Sequence, residues 1–132
     1  MVLLGIAAWG AYRLYEHRGA IEAARLVDAA TLPGDVVPCS QVFWAAADQG
    51  ARCATSTKDA SSVAEEFVAG LREEGVERVE SVCGFTGTWA ESCIVEAHTS
   101  FRNSMILIIQ ARVDESNRVV GMDMEITTKT PA

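Results

Sequence analysis

Basic charge is scarce in this chain of 132 residues: eleven Lys and Arg stand against eighteen Asp and Glu, a formal net charge of −7. After residue 35 the imbalance is eight against fourteen. A surface of that sign repels phosphate backbones and anionic headgroups, so nucleic acid is excluded as a partner. No G-x-S-x-G, S-x-x-K, P-loop or dinucleotide fingerprint occurs, and with them goes every local catalytic or nucleotide-binding signature. C-x-x-C is also missing, which argues against a zinc finger and against thioredoxin-like chemistry. What remains, 49% hydrophobic and 22% charged, is the balance of one ordinary globular domain.

The first thirty residues differ from the rest. "MVLLGIAAWGAY" carries no charge before Arg13, Glu16, His17 and Arg18. Trp9, Tyr12 and Tyr15 recur every third residue just before the charges, as amphipathic rings do at a membrane interface. Three readings compete: the outer part of a signal anchor, a helix that packs on the domain, and a cleavable signal peptide. The last lacks a basic leading region. The anchor is the expectation carried forward, although a span needs roughly 20 apolar residues and the basic residues lie on the side that would be cytoplasmic. The helical pattern continues through Ile21, Ala24, Leu26 and Ala29. Pro33 and Gly34 end it, so residues 1–30 read as an N-terminal helix, 31–38 as a linker and 39–132 as the domain.

Within the domain, residues 40–48 suggest a short helix with Ser40 as N-cap and Gly50 as stop. A short strand follows at 51–57. "SSVAEEFVAGLREEG" is the best helix, with Ser62 and Glu65 as a capping box and Val63, Phe67, Val68 and Leu71 on one face. Residues 76–83 read as a strand with poor alternation. From 93 onward the period is two: Cys93, Val95, Ala97, Thr99 and Phe101; then Met105, Leu107, Ile109, Ala111 and Val113; then Val120, Met122, Met124 and Ile126. Keeping these sets on one side places Phe101 opposite Met105 around a loop at 102–104, and Val113 opposite Val120 around Ser116 and Asn117. The expected fold is α+β: an antiparallel sheet of four or more strands with a helix packed on one face, preceded by a separate N-terminal helix.

Four cysteines behind an apolar N-terminus fit two structural disulfides. Buried free thiols are the alternative. Four cysteines allow three pairings and sequence does not choose among them; the preferred one joins Cys39 with Cys53 and Cys83 with Cys93. The latter would staple a loop carrying Phe85 and Trp89, two aromatics suited either to recognition or to capping the core.

The polar face of the sheet holds His98. The register above sets it in a row with Ile108 and Glu125, and sets Glu96 beside Gln110 and Asp123, with the carboxylates too far apart to share a ligand. Ile94, Ile106, Ile108 and Val119 form an apolar strip on the same face, a seat for a partner, for the N-terminal helix, for a second copy or for the 40–48 helix. The expectation is a non-enzymatic, membrane-tethered domain on the far side of a cell membrane, crossing once, with no cofactor or metal. It would act through protein contacts, and a homo-oligomer is compatible. Two alternatives stand beside it: a small-ligand-binding or enzyme domain using the polar face around His98, and an accessory subunit of a larger membrane complex.

Overall fold

The computed structural model describes residues 2–42, 51–86, 90–100, 103–116 and 118–129. Helix α1 (Val2–Ala29) leads into strand β1 (Asp35–Val37), a 3-10 turn (Cys39–Gln41) and β2 (Arg52–Ser56). Helix α2 (Ala60–Glu73) follows, then β3 (Val79–Thr86), β4 (Ala90–His98), β5 (Ser104–Val113) and β6 (Val119–Lys129). The six strands make one sheet in the order β1-β2-β6-β5-β4-β3, and every neighbouring pair is antiparallel. The chain is thus an α+β fold with helices on one face of an antiparallel sheet.

Strand periodicity explains the core. Val95, Ala97, Met105, Leu107, Ile109, Met124 and Ile126 are fully buried on the face that α2 covers with Val63, Phe67 and Leu71. These are the alternating residues that the sequence puts on one side. The helix begins at Ala60 with Asp59 as N-cap, earlier than the Ser62 capping box predicts. The Ser62 hydroxyl instead bonds the Asp59 carboxyl and holds its pKa below the usual value.

Two loops differ from expectation. His98 pairs with Ser104, so the β4–β5 connection spans 99–103 and the register sits four residues from the predicted one. A shift of four preserves which face each side chain takes, and alternation alone cannot detect it. The β5–β6 register holds from Leu107 opposite Ile126 to Arg112 opposite Gly121, then slips at a bulge that puts Val113 opposite Val119. Asp114 closes that turn, its Oδ1 accepting from the backbone N–H groups of Ser116 and Arg118. The segment read as a linker contains β1. Gly34 precedes it with φ 154°, and a Cβ there would collide with the Thr55 carbonyl.

Among the described residues, no helix is long and apolar enough to cross a membrane. The uncharged run of α1 ends at Tyr12, about 17 Å of helix where a bilayer core requires about 30 Å. Its second half carries charge on one side and packs on the domain with the other: Gly19, Ala23, Val27 and Ala30 are buried, and α1 contacts β5 and β6. The buried stripe is therefore rotated from the predicted one, leaving Ile21, Ala24 and Ala29 exposed. Trp9 is 62% exposed with the Arg13 guanidinium over its ring, and Tyr15 is 40% exposed. Tyr12 has its side chain outside the described residues. The single-pass topology through the N-terminal helix and the membrane contact it was to make are overturned, and the membrane-tethered reading falls with them.

Candidate functional site

The structure settles the pairing as the preferred one of three, Cys39 with Cys53 and Cys83 with Cys93. The second joins residues directly opposite each other on β3 and β4. That pairing carries Glu80 to a position opposite Glu96, three residues along each strand. Both project from the outer face of the sheet, away from α2, as does His98.

Like charges directly opposite one another destabilise a strand pair. Here cationic or titratable groups surround them. His98 Nε2 lies 3.5 Å from Glu80 Oε2 and 3.7 Å from Glu96 Oε1. The other oxygen of Glu96 is held from behind: Oε2 accepts from the Ser104 hydroxyl at 2.8 Å and lies 3.3 Å from Lys129 Nζ. The Ser104 bond, helped by Lys129 and His98, keeps the Glu96 carboxyl ionised below the usual range. Ser104 is only 3% exposed, so this support is fixed by packing.

Oxygen and nitrogen donors 2.0–2.1 Å from a tetrahedral ion stand about 3.3 Å apart. Glu80, Glu96 and His98 offer three such atoms, all within 4.8 Å of one another. Glu80 is exposed while Glu96 and His98 are half-buried, so the group has a fixed inner side and an open outer one. On its other flank His98 borders a cleft of about 590 Å³ between α1 and the end of α2, lined also by Glu22, Arg25, Glu77 and Arg78. Its size suits a small molecule. Glu22 Oε2 is buried without a hydrogen-bond partner.

Of the residues singled out by sequence, His98 and Glu96 meet, whereas Asp123 and Glu125 do not join them. Gln110 and Asp123 lie in the row of Ser92, and Glu125 and Ile108 in the row of Ile94. Asp123 sits by Arg112 at 3.5 Å, and burial pushes its pKa up. Ile94, Ile106 and Ile108 share the outer face with His98; Ile94 is exposed and the other two half-buried. Val119 is exposed near the β5–β6 turn. Trp89 and the side chain of Phe85 lie outside the described residues, as do 43–50, the body of the expected short helix. Glu80, Ser104 and Lys129 were missed. The signal for Glu80 was present: if Cys83 faces Cys93, antiparallel pairing forces 80 to face 96.

Comparison of the chain with protein-family models, with curated proteins and with solved structures finds no match.

Proposed function

We propose that the chain is a binding domain whose outer sheet face holds a divalent metal ion through Glu80, Glu96 and His98. The observation that carries this is the approach of His98 Nε2 to both carboxylates, 3.5 Å and 3.7 Å away, across three residues of two paired strands. One imidazole and two carboxylates suit zinc, manganese or iron(II). A divalent ion would also relieve the repulsion between Glu80 and Glu96. Ser104 and Lys129 act as outer partners that aim Glu96, as the groups behind metal ligands do.

The test is calorimetric titration of the full chain, both disulfides intact and no reductant present, with Zn²⁺ and with Mn²⁺. One ion should bind, and Glu80→Gln and His98→Ala should each weaken it by at least about tenfold while circular dichroism shows an unchanged fold. Undiminished affinity in both variants would remove the site.

A further inference from the structure

We propose that Cys83, Cys93 and Glu91 form a second metal site, one for zinc, which opens when the disulfide between the two cysteines is reduced. It is independent of the Glu80–Glu96–His98 group and lies on the opposite face of the sheet. Glu91 precedes Cys93 by two residues on β4 and so takes the same face. Cys83 meets them from β3. The two sulfurs and a carboxylate oxygen lie within 4.8 Å of one another. Two thiolates and a carboxylate are zinc ligands, and a water completes four.

The surroundings suit both chemistries. Cys83 is exposed, and a cleft of about 350 Å³ between α2 and β3 opens onto it, lined by Ser61, Glu65, Arg72 and Ser81 among others. A reductant can therefore reach the Cys83 sulfur, although Cys93 is 1% exposed. The Ser61 hydroxyl of α2 donates to Glu91 Oε1 and fixes that carboxylate toward the strands. Such a partner behind a ligand is what holds metal sites in shape. The other disulfide differs: among the described residues no third ligand gathers at Cys39 and Cys53.

A small-molecule dithiol supplies two electrons and two protons. Its thiolate attacks the Cys83 sulfur, the bond to Cys93 breaks, and Cys93 leaves as a thiol after taking a proton. The second thiol of the reductant then closes its own cyclic disulfide and releases Cys83. Zinc displaces the two thiol protons to solvent. Sequence spacing hides the site because the ligands meet through strand pairing rather than through a short C-x-x-C turn.

The experiment compares the full chain before and after dithiothreitol, with the dithiol removed anaerobically. Zinc is counted by competition with a chromophoric chelator, and Co²⁺ reports thiolate ligation through its charge-transfer band. The reduced chain should take one more zinc than the oxidised chain and show the cobalt–thiolate band. Glu91→Gln, which leaves both disulfides in place, should weaken that additional zinc by about tenfold or more. Cys39→Ser/Cys53→Ser should retain it; if that pair does not fold, the Glu91→Gln comparison decides. Equal zinc content before and after reduction, or a Glu91→Gln chain with unchanged affinity, would overturn the proposal.

Discussion

The two edges of the sheet carry one disulfide each, and they are built in opposite ways. At the β1 edge, a strand of three residues with Val36 69% exposed is followed by the 3-10 turn that Cys39 opens, and the bond to buried Cys53 ties this thin margin to β2. At the β3 edge, eight consecutive residue pairs already join the strands, and the bond lies inside that ladder. In the chain-entropy picture both loops are similar in length and each bond destabilises the unfolded state by roughly 3 kcal/mol. What separates the bonds is the native state left behind when each is cut. One edge has almost nothing else to hold it; the other keeps its ladder and gains two free sulfurs beside a carboxylate.

The largest expected effect breaks this comparison into its two parts. Cys39→Ser/Cys53→Ser and Cys83→Ser/Cys93→Ser should each lower unfolding free energy by roughly 3 kcal/mol in a urea titration. Hydrogen exchange should then distinguish them, with the amides of 35–37 losing protection in the first variant and those of β3 keeping it in the second. Loss of β3 protection would show that the ladder depends on the bond.

A smaller effect concerns Arg52, beside Cys53 on the weaker margin. Its guanidinium donates to the carbonyls of Val27 at 2.7 Å, Asp28 at 3.3 Å and Ala30 at 2.8 Å, satisfying the end of α1 that the helix itself leaves open. Arg52→Met should cost about 1.5–3 kcal/mol and loosen the last turn of α1. A stable variant with protected α1 amides would mean water replaces the guanidinium.

The smallest effect sharpens the picture of the β3 side. Because the folded pKa of Glu96 is lowered, this group contributes stability above its ordinary value of 4.5 and loses it as pH falls through the lowered one. Ser104→Ala removes the largest cause. The variant should trail the parent by about 1 kcal/mol above pH 4.5, and the gap should narrow on further acidification. A gap independent of pH would assign the Ser104 bond to packing alone.

Much of the fold was legible because burial writes a period of two into β4, β5 and β6, and a period near 3.6 into α2. Those patterns exist only where one face is wet and the other dry. On β3, Glu80, Ser81, Val82 and Cys83 are all exposed, Val82 by 72%. An edge strand open on both faces has no alternation to read, and Glu80 was lost with it. The β4–β5 offset escaped for a related reason, since a shift of four changes partners without changing faces. The eleven uncharged residues Val2–Tyr12 of α1 look the same whether they lead to a bilayer or extend beyond a helix docked on a sheet; only Gly19, Ala23 and Val27, small enough for close approach, mark the docking.

Strand order sets a schedule for assembly. β6 comes after every other strand in the chain yet lies between β2 and β5, and α1 also rests on it. While the chain is being synthesised, β3, β4 and β5 can pair as local hairpins, with α2 beside them. β1 and β2 can likewise pair with each other as soon as they emerge, so each disulfide can close within its own strand pair. What waits for residues 119–129 is the joining of the two halves, since β6 alone links β2 to β5. Until then the facing edges of β2 and β5 are both uncovered, and each is open to pairing with another chain.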